Sequence, residues 1–401
     1  MIIALIKERK SPPDRRVVID PQTLAHLRDL YPECEFWVEC SDIRVFPDQA
    51  YADLGFKVLD DVSGADVLLG VKEVPLDALI PNKSYFFFSH TIKKQPYNRK
   101  LLQRILDLNI NLYDHETIVD DKGKRLIGFG RYAGLVGAYN AMRAFGMKYE
   151  LFSLKKACDL SNLDALVKAL RKVILPPIKI VLTGKGKVGM GAKEILDAMK
   201  IKEVSPQDFL NKTYSTPVYT QLDVLDYNQN VSGETATFDH FYRHPDSYQE
   251  RFTPYTKVAD MFIAGHFYGD GAPIILTQQA LKASDCRLKV VADISCDIDG
   301  PVACTLRAST IADPFYGYLP AEHKEVDMFH PSAIVVMAVD NLPCELPFDA
   351  SIGFAKMFSE HVIPALMNND ANSVLKRAQI TSNGSLTPRF SYLEDYVHAM
   401  K

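Results

Sequence analysis

Short apolar runs alternate along the N-terminal part of the chain with segments whose apolar residues recur at helical spacing. The apolar runs predict strands over residues 1–6, 34–38, 67–71, 84–88 and 111–113. The segments between them predict helices over residues 21–30, 48–54 and 96–108. Because strands that alternate with helices form a parallel sheet with helical connections, this part of the chain predicts an α/β fold.

The same alternation returns in the second half of the chain. Apolar runs predict further buried strands over residues 178–182, 288–294 and 333–338. Helical patterns cover residues 132–145, 151–175, 192–199 and 351–367. The first of these is rich in small residues, which suits close packing at a domain junction. The two sets of strands predict two Rossmann-like domains, each with a doubly wound parallel sheet.

Length and charge limit the possible functions. A chain of 401 residues exceeds one ordinary core, and 47% apolar against 24% charged residues is typical of a globular protein. The net charge of −4 offers no basic surface for nucleic acid or an anionic membrane, and no apolar stretch reaches the length of a membrane span. The N-terminus lacks a signal-peptide pattern, so we expect a cytoplasmic protein, either a monomer or a homo-oligomer. The seven cysteines show no C-x-x-C spacing and predict neither a disulfide framework nor a metal site.

A glycine-rich turn connects the strand at residues 178–182 to the helical pattern after it. Gly184, Gly186 and Gly189 have G-x-G-x-x-G spacing, with Lys187 and Val188 between the last two. In a dinucleotide site such glycines allow a tight turn, close approach of a pyrophosphate and close packing of helix on strand. The N-terminus of the helix then offers N–H groups to the phosphates. The alternatives are a βα turn without a ligand and the similar glycine loop of a methyltransferase.

A dinucleotide site of this kind usually has an acidic residue after its second strand, where it binds the ribose hydroxyls. The candidates here are Glu203 and Asp208, and Pro206 lies between them. Lys185 and Lys187 would favour an additional phosphate unless they are simply solvated. The sequence therefore leaves the choice between NAD and NADP open.

Polar residues follow two of the predicted strands in the first half of the chain. Lys72 and Glu73 come directly after residues 67–71, and His90 and Lys93 come after residues 84–88. Ligands of open α/β sheets bind beyond the carboxyl ends of the strands, and these side chains reach the same edge. Taken alone, Lys72 is better explained as a solvated loop lysine and His90 as a structural or surface histidine, but their shared placement makes a functional site an equal alternative.

Motifs along nearly the whole chain resemble those of one enzyme superfamily. In chain order they are KERKSPPDRRV, GVKEVP, FFFSHTIKKQ, LYDHE, GKRLIGFGRYAG, TGKGKVGMGA, HPDSYQERF, VADISCDIDG, VDNLPCELPFDAS and ITSNGSL. They are similar to motifs of the alanine dehydrogenase/transhydrogenase superfamily. Within it, the chain resembles the lysine-forming saccharopine dehydrogenases and the lysine–ketoglutarate reductase half of the aminoadipic semialdehyde synthases.

The resemblance implies two Rossmann-like domains with an active site in the cleft between them. Residues 1–135 with 340–401 would form the substrate domain, and residues 136–339 the dinucleotide-binding domain. The implied reaction interconverts saccharopine with lysine and 2-oxoglutarate, with NAD or NADP as cofactor. The implied partners are therefore small amino-acid and oxo-acid substrates.

The resemblance also assigns roles to individual residues. Lys72 and His90 match the catalytic acid–base pair, and Asp293 matches a cleft aspartate near the cofactor, although a cap or turn residue is the alternative. Positions that bind substrate or tune charge match Arg16, Lys93, Glu73, Glu116 and Arg125. The first loop is one residue longer than in the simplest fungal-type pattern, so Arg15 and Arg16 are alternatives for one substrate-binding role.

The implied chemistry agrees with these residue types. Saccharopine carries three carboxylates, which require several fixed cations, and imine formation requires proton transfer near neutral pH. An alanine dehydrogenase-type enzyme is the alternative, but its one-carboxylate substrate does not require the additional cations Lys93 and Arg125. A catalytically silent nucleotide-binding homologue is a further alternative, against which the intact Lys72 and His90 argue.

Overall fold

The computed structural model describes residues 1–231, 233 and 235–398. The chain forms two compact units, Met1–Phe129 with Pro347–Lys401, and Gly130–Leu346. The predicted domains take in residues 232, 234 and 399–401, which lie outside the described residues. Each unit is built around its own large sheet.

The first unit contains a six-stranded, fully parallel sheet. Its strands are β1 (Ile2–Leu5), β2 (Glu35–Glu39), β3 (Lys57–Leu59), β4 (Val67–Lys72), β5 (Ser84–Phe88) and β6 (Asn111–Asp114). Its helices up to residue 129 are α1 (Pro21–Leu30), α2 (Asp48–Ala52) and α3 (Arg99–Asp107). The strand order β3-β2-β1-β4-β5-β6 reverses between β1 and β4, which is where open sheets of this kind bind ligands.

Local sequence explains how these elements begin and what they bury. Asp20 caps α1 by accepting from the N–H groups of Gln22 and Thr23, and Pro21 supplies a preset φ at the first helical position. The apolar face of α3 packs with residues of β4 and β5 in a core that includes Leu68, Phe87, Leu102 and Ile105. Residues 96–98, predicted as helix, form a separate 3-10 turn ahead of α3.

The second unit begins with a long helix and contains an eight-stranded sheet. Its helices are α4 (Gly130–Lys148), α5 (Leu163–Leu170), α6 (Lys187–Ala198), α7 (Pro206–Asn211), α8 (Phe238–Arg243), α9 (Thr253–Thr256) and α10 (Gln278–Lys282). Its strands are β7 (Lys179–Thr183), β8 (Lys202–Glu203), β9 (Val218–Leu222), β10 (Asn228–Asn230), β11 (Tyr248–Glu250), β12 (Met261–Ala264), β13 (Val290–Asp293), β14 (Phe315–Leu319), β15 (Lys324–Val326) and β16 (Ile334–Met337).

The large sheet of the second unit has the order β15-β14-β16-β13-β12-β7-β9-β8, and β10 and β11 form a separate hairpin. Strands from β16 to β8 are parallel, whereas β14 and β15 are antiparallel and occupy one edge. Both units therefore confirm the predicted α/β class with Rossmann-like sheets. The antiparallel edge was not predicted.

Small residues allow α4 and α6 to pack closely. A Cβ on Gly134 would lie 1.9 Å from the carbonyl oxygen of Val188, and a Cβ on Gly191 would lie 2.1 Å from that of Arg131. At the other end of the unit, Glu345 accepts from the Asn140 side chain of α4 at 2.9 Å. These contacts explain why the second unit extends over residues 130–346, whereas the predicted boundaries lie at residues 136 and 339.

Two helices predicted as continuous are interrupted. Residues 151–175 are helical only at the 3-10 turn Ala157–Asp159 and in α5, because Asn162 caps a new helix by accepting from the N–H of Ala165. The pattern at residues 351–367 divides where Pro364 lacks the N–H that a continuous helix requires. Both predictions of one uninterrupted helix were wrong.

The chain returns to the first unit after residue 346. This segment contains α11 (Pro347–His361), α12 (Ile363–Met367), α13 (Val374–Ala378), β17 (Thr381–Ser382), β18 (Ser385–Leu386) and α14 (Glu394–His398). Thr381 Oγ1 accepts from the N–H of Leu112 and donates to the carbonyl of Ile110, which attaches the segment to β6. In the described part of the chain, no helix has both the length and the apolar character needed to cross a membrane.

Candidate active site

The end of β4 is held by side chains as well as by neighbouring strands. β4 pairs with β1 up to Leu69, and its register with β5 then shifts before Lys72. Glu8 accepts from the N–H groups of Val71 and Lys72, at 2.7 and 2.9 Å. The two oxygens of Glu8 thus provide hydrogen-bond acceptors for two backbone amides at the point where the strand pairing becomes irregular. Lys72 is presented at the carboxyl edge of the sheet, next to the reversal between β1 and β4.

A buried histidine also contacts the backbone at the end of β4. His115 Nε2 lies 2.9 Å from the carbonyl oxygen of Gly70, and because a carbonyl only accepts, this nitrogen carries the proton. Burial lowers the pKa of His115 to about 3, so the ring is neutral near pH 7. His115 is therefore a structural support for β4 rather than a proton donor.

The segment after β5 is fixed by a buried carboxylate. Asp114 accepts from the N–H groups of Ser89 at 2.8 Å, His90 at 3.2 Å and Glu116 at 2.7 Å. Burial raises the pKa of Asp114, whereas these hydrogen bonds act in the opposite direction. His90 has a left-handed backbone, with φ of 55°, and its ring lies against Phe88. Asp114 thus links the two connections that follow β5 and β6.

Glu116 brings three of the predicted site residues together. Its carboxylate lies 3.5 Å from His90 Nδ1, 3.7 Å from Lys93 Nζ and 3.5 Å from an Arg125 guanidinium nitrogen. Burial opposes ionisation, but the neighbouring His90, Lys93 and Arg125 lower the pKa of Glu116 to about 2. Glu116 is therefore an ionised counter-charge for a cationic group. Lys93 and Arg125 keep about half of their side-chain surface exposed, at 53% and 46%.

Glu73 forms a separate ion pair at the end of β4. Its Oε1 lies 2.6 Å from Lys10 Nζ. Burial opposes ionisation of Glu73, but Lys10 and the more distant His90 lower its pKa overall. Lys10 belongs to the charged segment that follows β1, so Glu73 connects this segment to β4. Glu73 was predicted as a site residue from the sequence, but its pairing with Lys10 was not predicted.

Arg16 is held on two sides. Its guanidinium donates to both oxygens of Asp14, at 3.0 and 2.6 Å, and its carbon lies 4.1 Å from the centre of the Phe129 ring. Although burial opposes ionisation, Arg16 keeps the pKa of Asp14 well below its usual range, and Lys72 acts in the same direction. Arg15 is exposed, whereas Arg16 is buried. Of these two alternatives, Arg16 is the one that is buried and held in place by Asp14 and Phe129.

The glycine loop of the second unit has the tight geometry that its spacing predicts. Gly184 has a φ of 92°, and a Cβ there would lie 2.4 Å from the carbonyl oxygen of Gly265. A Cβ on Gly189 would lie 2.0 Å from the carbonyl oxygen of Gly184, so helix α6 packs directly on the turn. By contrast, a Cβ on Gly186 would meet no atom within 4 Å. The first two close approaches require glycine, whereas the position of Gly186 faces open space.

Asp223 is the acidic residue that follows the strand next to β7, and it was not among the candidates from the sequence. β9 lies next to β7 in the sheet and ends at Leu222, whose carbonyl accepts from the N–H of Gly184. Asp223 follows directly, and its Oδ2 lies 3.8 Å from Nζ of Lys185 in the glycine loop. A carboxylate in this place would reach the ribose next to a phosphate bound at the loop.

The two sequence candidates for that carboxylate lie elsewhere. Glu203 belongs to β8, which is separated from β7 by β9, and forms an ion pair of 2.6 Å with Lys193. Asp208 lies in the first turn of α7 and pairs with Lys212 at 3.0 Å. β8 and α7 intervene between α6 and the strand that adjoins β7, so neither candidate follows that strand.

The remaining predicted cofactor residues differ in their surroundings. Lys187 is exposed and Val188 half-buried in the first turn of α6. Asp293 ends β13 but is fully buried, where it accepts from the hydroxyls of Ser295 and Thr305, both at 2.6 Å. Burial raises the pKa of Asp293, and these hydrogen bonds oppose that effect. Asp293 thus organises the connection after β13.

With this geometry in place, the chain can be compared with known proteins. Residues 4–136 match the alanine dehydrogenase/PNT N-terminal domain. The fold is similar to that of an L-alanine dehydrogenase, with a TM-score of 0.66 at 16% identity over 99% of this chain and all of the other. The N-terminal part of the chain thus matches this domain family, and the chain as a whole shares the fold of an alanine dehydrogenase. A transhydrogenase from Sinorhizobium meliloti shares the fold, with a TM-score of 0.61 at 14% identity over 96% of this chain and 100% of that chain.

Relatives that are similar in sequence have more specific names. An alpha-aminoadipic semialdehyde synthase, mitochondrial, of Rattus norvegicus is 28% identical over 98% of this chain and 47% of its own length. A saccharopine dehydrogenase [NAD(+), L-lysine-forming] of Yarrowia lipolytica is 24% identical over 90% of each chain. The chain thus spans about half the length of the semialdehyde synthases that it matches.

The second unit offers a place that fits a dinucleotide. No side chain caps the N-terminus of α6 at Gly186, and the open space beside that glycine would admit a phosphate. Asp223 offers a carboxylate for ribose hydroxyls on the adjoining strand. Among the described residues, no group of three or more His, Cys, Asp or Glu side chains is arranged to hold a metal ion.

Proposed function

We propose that the protein is an oxidoreductase that interconverts saccharopine with L-lysine and 2-oxoglutarate. The observation that carries the proposal is the placement of Lys72 and His90 after the adjacent strands β4 and β5, within a group of fixed cations and counter-charges. The names of the sequence relatives support this substrate choice. The first unit would bind the amino acid and oxo acid, and the second unit the dinucleotide.

The cations of the first unit would bind the substrate carboxylates. Arg16 is oriented by Asp14 and Phe129, so a carboxylate would meet a preorganised guanidinium. Lys93 and Arg125 lie 3.7 and 3.5 Å from Glu116 and stay about half exposed, so they can reorient toward a substrate. A substrate with three carboxylates uses such a set, whereas alanine has one.

The reaction requires proton transfers that Lys72 and His90 would perform. The ε-amine of lysine attacks the ketone carbon of 2-oxoglutarate, and the resulting carbinolamine loses water to form an imine. One group removes the proton of the attacking amine, and the other protonates the departing oxygen. Glu116 would stabilise the protonated form of His90 during these steps. A bound nicotinamide dinucleotide would supply the hydride that reduces the imine carbon, and a proton on nitrogen completes the secondary amine.

We propose NAD as the preferred cofactor. The Asp223 carboxylate would accept hydrogen bonds from the ribose hydroxyls and would repel the additional phosphate of NADP. Lys185 partly balances this charge from 3.8 Å, but it lies on the glycine loop, where the pyrophosphate would also attract it. The name of the Yarrowia lipolytica relative, which specifies NAD(+), supports the same choice.

The test is a paired assay of the purified protein with NADH and NADPH and a panel of amines and oxo acids. We expect oxidation of NADH only when lysine and 2-oxoglutarate are both present. Turnover with pyruvate and ammonium instead would favour an alanine dehydrogenase-type reaction. Binding of a dinucleotide without turnover on any pair would indicate a silent homologue. Binding of S-adenosylmethionine without NAD or NADP would indicate a methyltransferase.

A further inference from the structure

The backbone that carries Lys72 depends on a side chain outside the predicted site. The β1–β4 ladder closes with the hydrogen bond from the N–H of Ile6 to the carbonyl of Leu69, and the pairing of β4 with β5 shifts between Leu69 and Lys72. The last residues of β4 therefore rely on other partners. These partners come from the segment after β1 and from the connection after β6.

Glu8 supplies two of these partners with a single carboxylate. Its Oε1 accepts from the N–H of Val71 and its Oε2 from the N–H of Lys72. The pair of contacts fixes two consecutive peptide groups and so fixes the direction in which the Lys72 side chain leaves the strand. His115 holds the carbonyl of the preceding Gly70. The strand end is thus defined by Glu8 on one side and His115 on the other.

We propose that Glu8 is a positioning residue that places the Lys72 amine for catalysis by holding the backbone at the end of β4. This inference rests on the function proposed above, because it gives Lys72 a task that requires accurate placement. Errors of about 1 Å in the position of a reacting group lower rates by about 100-fold. Glu8 would therefore affect turnover without touching the substrate.

The charges around Glu8 support this role. Asp14 and Arg16 face it from the segment that follows β1, and Lys72 lies on the strand that it holds. Burial, with a further contribution from the charge of Asp14, raises the pKa of Glu8 to about 7, against the opposing effects of the two backbone N–H groups. A carboxyl group balanced in this way would hold the strand end most firmly when ionised, because both of its oxygens then accept.

Glu8→Gln tests the importance of the two acceptor oxygens without changing the size of the side chain. Glu8→Gln keeps the shape but replaces one acceptor with an amide donor, which would face a backbone N–H. Glu8→Ala removes both acceptors, and Glu8→Asp keeps the carboxylate on a shorter stem. The matched control is Asp66→Asn, because Asp66 also accepts from a strand N–H, that of Ile2 at 2.8 Å, but at the amino end of β1.

Two measurements test the proposal on the full chain. Hydrogen exchange followed by mass spectrometry should show faster exchange of the amides at residues 71–72 in Glu8→Gln and Glu8→Ala, but not in Asp66→Asn. In the lysine plus 2-oxoglutarate assay, we expect Glu8→Gln to lower kcat at least about tenfold and to change the KM for 2-oxoglutarate less than about threefold. Glu8→Asp should recover part of kcat, and the acid limb of the wild-type pH profile should weaken in Glu8→Gln.

The outcomes distinguish this inference from the proposed function. Unchanged exchange at residues 71–72 in Glu8→Ala would overturn the role of Glu8, whatever reaction the protein catalyses. Faster exchange with a wild-type kcat would overturn the link between Glu8 and catalysis. If the wild-type protein turns over no substrate pair, the proposed function fails, and the exchange measurement still decides whether Glu8 holds the strand end. Thermal melting by circular dichroism shows whether each variant is folded.

Discussion

Nδ1 of His90 lies 3.5 Å from Oε2 of Glu116, so the histidine that follows β5 faces an ionised carboxylate that follows β6. Asp114 fixes both backbones, because it accepts from the N–H groups of His90 and Glu116. The relationship is therefore built into the sheet edge and does not depend on a flexible loop. It gives His90 a partner for its protonated form.

Glu116→Gln should change the stability of the protein in acid. Without the carboxylate, His90, Lys93 and Arg125 lose the counter-charge that they share. The pKa of Glu116 is lowered from 4.5 to about 2 in the folded protein. Its contribution to stability is therefore present above pH 4.5 and is lost as the pH falls toward 2.

The acid effect can be measured by comparing urea unfolding of the wild type and Glu116→Gln between pH 7 and pH 3. The wild type should lose more stability than the variant as the pH falls. The lowered pKa corresponds to a contribution of about 3 kcal/mol at neutral pH. Parallel loss of stability in the two proteins would contradict the ion-pair assignment of Glu116.

Removing either member of the proposed acid–base pair should slow turnover. We expect Lys72→Ala and His90→Ala each to lower kcat with lysine and 2-oxoglutarate by more than about tenfold, as is typical for loss of a general acid or base. Lys100→Ala, at an exposed position of α3, is the control for removal of a lysine near the same unit edge. Wild-type rates in both site variants would exclude their catalytic roles.

Two glycines of the same loop should respond differently to alanine. At Gly186, the added methyl group meets no atom within 4 Å, so Gly186→Ala should keep the wild-type melting temperature but weaken NADH binding by occupying the space for the phosphate. At Gly189, the methyl group would lie 2.0 Å from the carbonyl oxygen of Gly184, so the helix must move. Gly189→Ala should therefore lower the stability by roughly 1–3 kcal/mol as well as weaken binding.

Calorimetric titration with NADH and thermal melting separate the two effects. Each variant is the control for the other, because both add one methyl group to the same loop. Equal NADH affinity of Gly186→Ala and the wild type would show that no phosphate approaches this glycine. Equal melting temperatures of Gly189→Ala and the wild type would show that α6 does not pack on the turn as closely as described.

Regular features of the fold could be predicted from the sequence because they depend on local patterns. The helix at residues 21–30 and the strand at residues 84–88 have the predicted bounds, since Asp20 and Pro21 start the helix and aromatic residues fill the strand. The location of residues at strand ends could also be predicted, because the carboxyl ends of parallel strands meet at one edge of the sheet. This explains why the sequence could place Lys72 and His90 at the same edge of the sheet.

Features that depend on distant contacts were missed. Glu8 holds N–H groups that lie 63 and 64 residues further along the chain, and backbone amides leave no trace in a sequence pattern. Asp223 was missed because β8 and α7 separate the glycine loop from the strand that adjoins β7. A simple count of residues after the loop therefore pointed to Glu203 and Asp208, whose lysine partners lie nearby on the surface.

Asp223→Asn should shift the cofactor preference toward NADPH. The substitution keeps an oxygen that can accept from the N–H of Val224, which Asp223 binds at 2.8 Å, but removes the charge that would repel the additional phosphate. Lys185 would then be available to that phosphate. We expect the ratio of kcat/KM for NADPH to that for NADH to rise at least about tenfold, equivalent to about 1.4 kcal/mol. Glu203→Gln, the control at the other acidic candidate, should leave this ratio unchanged. A response of Glu203→Gln without one of Asp223→Asn would instead place the ribose next to β8.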